Sequence, residues 1–106
     1  MGGIERGRLR SADSAPVAGE IVEHLVSDGH VSVEHILSGR LHVPLAYNQD
    51  QDEWFTILEG AAELEVDGDP HSVTAGDWLL IPRAVPHRVL YTEPGTRWLA
   101  VHFGGK

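Results

Sequence analysis

The chain contains no cysteine. Disulfides, zinc ribbons, iron–sulfur clusters and thiol nucleophiles are therefore excluded from any account of its stability or chemistry. Positive charge is scarce as well: eight Lys and Arg face sixteen Asp and Glu, for a formal charge of -8. A duplex or RNA binder carries a basic footprint, and none is visible, so nucleic acid is not an expected partner. No apolar run approaches bilayer-spanning length, so no membrane partner is expected either. Residues 1–10 hold three arginines without an apolar stretch behind them. They do not read as a secretory signal, and the expected location is cytoplasmic. Apolar residues nowhere recur at helical period over a long segment. Phosphate-cradling glycine loops, nucleophile elbows and helix-turn-helix patterns are also missing.

What is there has the rhythm of an all-β protein. The 106 residues suit one domain, and 42% apolar with 23% charged residues is ordinary for a globular chain. Residues 1–19, rich in Gly, Ala, Ser and Arg, read as an irregular N-terminal arm. From residue 20 onward short strands alternate with turns. Strands are expected over 21–26, 31–37, 41–47, 53–58, 61–66, 71–73, 78–81, 87–92 and 97–103, the third broken by Pro44. Asp67-Gly68-Asp69-Pro70 is a strong hairpin turn. In 61–66, Ala62, Leu64 and Val66 share one face while Glu63 and Glu65 take the other. This spacing predicts a sandwich or barrel over 20–106.

Two motifs narrow that class. Gly76, five residues, Pro82, four residues and His87 form one, with Ala84 and Tyr91 inside its frame. Glu53, six residues and Gly60 form the other. In both, the chain resembles the cupin family of double-stranded β-helix or jelly-roll barrels. The family's second motif has Gly where Ala84 stands and Asn where Tyr91 stands. Its first motif adds His-x-His ahead of the glutamate. Those places fall on Ala46 and Asn48, or in a shorter register on Tyr47 and Gln49, and neither pair contains histidine. The chain is thus similar to a subgroup of small cupins that lacks the His-x-His.

The resemblance implies an interior pocket where Glu53 and His87 converge. Alternation agrees, since Glu53 shares a face with Phe55 and Ile57, and His87 with Val89 and Tyr91. A carboxylate and an imidazole facing one cavity are half of a metal site. Gln49 or Asn48 would add an amide oxygen, giving a divalent site (Mn, Fe, Zn or Mg) in which oxygen donors favour harder ions. The competing reading is a hydrogen-bonded Glu53–His87 pair with no ion. His35, His42 and His102 are candidates to replace the absent histidines. Surface or ordinary core roles weigh more for the first two, whereas His102 is expected to line the cavity. Tyr47, Tyr91 and His102 are expected to contact a bound molecule. Trp54 and Trp78 suit barrel core or dimer packing, and His24, His30 and His71 suit solvent.

The resulting functional expectation is a pocket for a small organic molecule. One version is a divalent-metal-dependent enzyme of oxygenase, isomerase or lyase type, with Glu53 as ligand or base and His87 as ligand or acid. The rival is a non-catalytic ligand-binding or accessory barrel. Apolar residues on both faces of the last strand, and strand edges that need cover, point to a homodimer.

Overall fold

The structure is a computed structural model that describes residues 3–41, 45–47 and 49–104. Its chain reverses where residues accept a left-handed backbone. Asp67 (φ 49°) and Gly68 (φ 86°) form a two-residue turn with both central φ angles positive, as the Asp-Gly pair predicts. It joins β5 (Ala61–Val66) to β6 (Asp69–Thr74), with Val66 paired to Asp69. Gly60 (φ 95°) makes the reversal between β4 (Asp52–Glu59) and β5, where a Cβ would collide with Thr96. Pro70, which has no N–H to give, lies on β6, an edge strand.

The remaining strands are β1 (Glu20–Asp28), β2 (Val31–Ser38), β3 (Leu45–Tyr47), β7 (Trp78–Ile81), β8 (His87–Thr92) and β9 (Thr96–Phe103). They build two sheets with antiparallel pairing throughout the described strands. One has the order β1-β2-β9-β4-β7 and the other β3-β8-β5-β6. This is the jelly-roll barrel the sequence predicts. The expected strands all appear, with 42–44 of the third lying outside the described residues and β1 extending past both expected ends. Among the described residues no helix is long and apolar enough to cross a membrane.

Side chains that alternate inward from both sheets meet in a core that includes Phe55, Ile57, Leu64, Val89 and Trp98. Phe55 and Trp98 touch with ring centroids 5.2 Å apart and planes inclined at 59°, near the edge-to-face arrangement aromatic quadrupoles prefer. The Trp98 indole N–H donates to Ser38 Oγ at 3.0 Å, which satisfies its buried polar atom.

The arm is held against the outer face of the larger sheet. It contains a single 3-10 turn, Ala12–Ser14, and Ala18 bridges to Arg40. Arg10 pairs with Glu23 at 3.1 Å, Glu23 accepts from His35 Nδ1 at 2.7 Å, and Arg97 donates to His35 Nε2 at 3.3 Å. The His35 hydrogen bond, followed by Arg10, holds the Glu23 carboxyl below its usual value against a partial burial effect. His35 and Leu37 are fully buried on this outer side. The structure thus gives His35 a structural role away from the pocket, with both ring nitrogens engaged.

Candidate functional site

The pocket opens between the sheets with a volume of about 470 Å³, within the range of small-molecule sites. β4 presents Glu53 on its inner phase with Phe55, and β8 presents His87 with Val89. The two strands belong to different sheets, and their side chains meet with His87 Nε2 3.4 Å from Glu53 Oε1. Both residues therefore point inward and face each other across the barrel.

Hydrogen bonding fixes the character of each group. His87 Nδ1 lies 3.1 Å from the Val85 carbonyl, which only accepts, so Nδ1 carries a proton and Nε2 is the nitrogen that can exchange one. The Glu53 hydrogen bond raises the His87 pKa above the ordinary imidazole value, opposing burial, and the Val85 carbonyl adds to the rise. Burial works against charge on Glu53. Hydrogen bonds from His87 and Gln49, with the nearby charge of His102, outweigh it and hold the carboxyl below its usual value. Gln49 Nε2 donates to Glu53 Oε1 at 2.9 Å. Between pH 4.5 and 6.5 the arrangement is an imidazolium beside a carboxylate.

A second carboxylate–imidazole group lies on the same wall. On β2, Glu34 has His102 Nε2 3.4 Å from one oxygen and His24 Nδ1 3.1 Å from the other. His102, on β9, is the direct cross-strand neighbour of Glu53 on β4. The inner face of the larger sheet therefore carries a row running His24, Glu34, His102, Glu53, with His87 reaching it from the opposite sheet. The row begins at the exposed His24 ring and ends at His87, whose side chain is 4% exposed.

His102 lines the pocket as expected. Tyr91 does not: it is 51% exposed. β8 carries an extra residue at Leu90, so Glu63 pairs with Tyr91 while Leu64 pairs with Val89. This bulge inverts the phase, turning Tyr91 out and burying Thr92 in its place. His42 and Asn48 lie outside the described residues, as does the side chain of Tyr47. Glu34 was missed as a pocket residue, whereas His24, expected in solvent, is 73% exposed and stands beside the pocket. The signal was alternation on β1 and β2, where Val22 and Ile36 mark the inner phase weakly. Trp54 and Trp78 stack at 6.3 Å on the outer face of the larger sheet, with Trp78 59% exposed, so they are not barrel core.

Comparison with known proteins agrees with this architecture. A model of the Cupin domain matches residues 32–102. The chain belongs to the cupin family. A solved structure from Ralstonia eutropha JMP134, described as a "putative mannose-6-phosphate isomerase", is 33% identical. It superposes with a TM-score of 0.79, over 93% of this cupin and 100% of that chain. KdgF from a Halomonas species has the same fold, with a TM-score of 0.74 at 17% identity, covering 83% of this chain and 81% of that one. Protein SchB of Streptomyces halstedii is 28% identical over 97% of this cupin and 67% of its own length. An uncharacterised Aquifex aeolicus protein is 37% identical over 39% of this chain, and the match spans only 34% of that relative.

Cupins commonly bind divalent metals. The donors described in this cupin do not fit one. Glu53 Oε1 faces His87 Nε2, and Gln49 turns its N–H, not its oxygen, toward the same carboxylate oxygen. Among the described residues no three His, Asp or Glu side chains are grouped to hold an ion. The Glu53–His87 pair as placed can itself transfer a proton.

Proposed function

We propose that this cupin binds a small organic molecule in its barrel and shifts a proton within it, a reaction of isomerase or lyase type. The observation that carries the reading is the Glu53–His87 contact inside a cavity of about 470 Å³. Glu53, held ionised, is the base, and its carboxylate takes a proton from the substrate. His87, its pKa raised by Glu53 and its Nδ1 on the Val85 carbonyl, is the acid and delivers a proton from Nε2 to another atom. The proton then returns from Glu53 Oε1 to His87 Nε2 across their contact, which restores both groups. Phe55 and Trp98 supply an apolar floor on which a substrate can lie flat. The description of the Ralstonia relative as an isomerase supports this class of reaction.

The test is deuterium exchange. The protein is incubated in D2O with a panel of uncharged hydroxy-carbonyl compounds, and incorporation at carbon is followed by mass spectrometry. We expect incorporation with wild type and its loss in both Glu53→Gln and His87→Gln. Incorporation that survives both substitutions overturns the assignment.

A further inference from the structure

Among the described residues, the pocket holds carboxylates with no arginine or lysine to balance them. Glu53 and Glu34 project from the larger sheet with side chains 14% and 18% exposed. The lone lysine, Lys106, lies outside the described residues. Several arginines are committed elsewhere. Arg83 pairs with Asp52 at 3.6 Å, Arg88 with Glu65 at 2.8 Å, Arg97 with Glu59 at 2.8 Å and Arg10 with Glu23 at 3.1 Å. None of these residues lines the cavity. Phosphate and carboxylate groups are recognised by guanidinium forks, ammonium groups or backbone N–H nests. The described wall offers imidazoles set beside carboxylates, together with amides and Ser32.

We infer that the pocket selects an uncharged polar molecule with one apolar face and rejects its phosphorylated or carboxylated analogue. This inference deepens the proposed proton shift and rests on that reading for the location of the site. Neutral hydroxyl and carbonyl groups can bond to Gln49, Gln51, Ser32 and the row of imidazoles and carboxylates. The apolar face lies on Phe55, Leu64 and Trp98. An added phosphate would enter beside Glu20 and Glu34 with like charge and reduced solvent screening, while Glu53 is paired with His87. The selection therefore separates this cupin from a sugar-phosphate isomerase in substrate class, whatever fold the two share.

The experiment reads the pocket's potential without requiring the natural ligand. Nitroxides with one ring and three substituents (amino, carbamoyl and carboxyl) are added in turn at pH 8. Their relaxation effects are measured on the Trp98 indole and the Gln49 and Gln51 side-chain amides. The exposed Trp78 indole reports the exterior, which corrects for the protein's overall negative charge. We expect the anionic nitroxide to act on pocket signals about threefold or more weakly than the cationic one after that correction. Glu34→Gln should narrow the difference. An anionic probe that reaches the pocket as well as the cationic one overturns the inference.

A second arm compares mannose with mannose 6-phosphate by chemical-shift titration. Saturable binding of the phosphate ester, tighter than mannose, also overturns the inference. Anion exclusion without deuterium exchange removes the acid–base reading and leaves the selection standing. Binding of mannose 6-phosphate in the pocket does the reverse.

Discussion

His87 Nε2 stands 3.4 Å from Glu53 Oε1, although the two residues belong to opposite sheets. The contact makes the ionisation of each dependent on the other. Because Glu53 is the first cause of the raised His87 pKa, Glu53→Gln should lower it. Titration of the His87 ring protons by NMR measures this. An unchanged midpoint would show that the pair is not formed in solution.

The same contact predicts a pH window for stability. Glu53 is shifted down from 4.5, so its contribution is full above that value and fades as pH falls through the lower folded value. His87 is shifted up from 6.5, so its contribution is full below that value and fades as pH rises through the higher folded value. Both are complete only between pH 4.5 and 6.5. The stability lost in Glu53→Gln should be largest there, at about 1–3 kcal/mol for a charge-assisted hydrogen bond. Urea denaturation across pH checks it, and a loss independent of pH would count against the ionised pair.

If the donors serve each other, divalent ions have nothing to gain at this site. Mn, Mg, Fe or Zn salts should leave both the melting temperature and the His87 titration unchanged. A saturable rise in melting temperature with one ion, absent in Glu53→Ala and His87→Ala, would restore the metal reading.

Two turn positions have opposite expected responses. Gly68 has φ 86°, so Gly68→Val should cost about 1 kcal/mol or more through backbone strain. Ala84 has φ 63° where the related motif carries glycine. The left-handed conformation costs a non-glycine residue about 1–2 kcal/mol, partly offset by glycine's greater freedom when unfolded, about 0.4–1 kcal/mol. Ala84→Gly should therefore stabilise by about 0.5–1 kcal/mol. Chemical denaturation of both variants decides, and equal midpoints would contradict the backbone argument.

The outer face of the larger sheet remains open beyond the arm. Trp78 and Leu80 are 59% and 53% exposed, with Trp54 stacked against Trp78 and Val101 paired to Trp54. We propose that this apolar face pairs two copies of the chain. Light scattering should give a dimer mass at micromolar concentration, and Leu80→Lys should give a monomer. A monomeric wild type would refute the proposal.

Strands, turns and the Glu53 and His87 positions were legible in the sequence because they depend on local chemistry. Period-two alternation, Asp-Gly at a tight turn and the spacing of the two motifs all act over a few residues. What alternation does not specify is which of two mixed faces becomes the pocket. On β2 the more apolar phase, Val31, Val33, His35 and Leu37, turns outward, with its end buried at His35 and Leu37. The phase with Ser32, Glu34 and Ile36 lines the cavity. Polarity alone favoured the opposite assignment, so Glu34 escaped notice. Tyr91 failed for a related reason, since one added residue at Leu90 reverses every later side chain on β8. Local pattern thus determined the strands and the two residues at the centre of the site. Long-range packing of the arm and the register between sheets decided the wall around them, because a strand's two faces are distinguished only by what comes to lie against each.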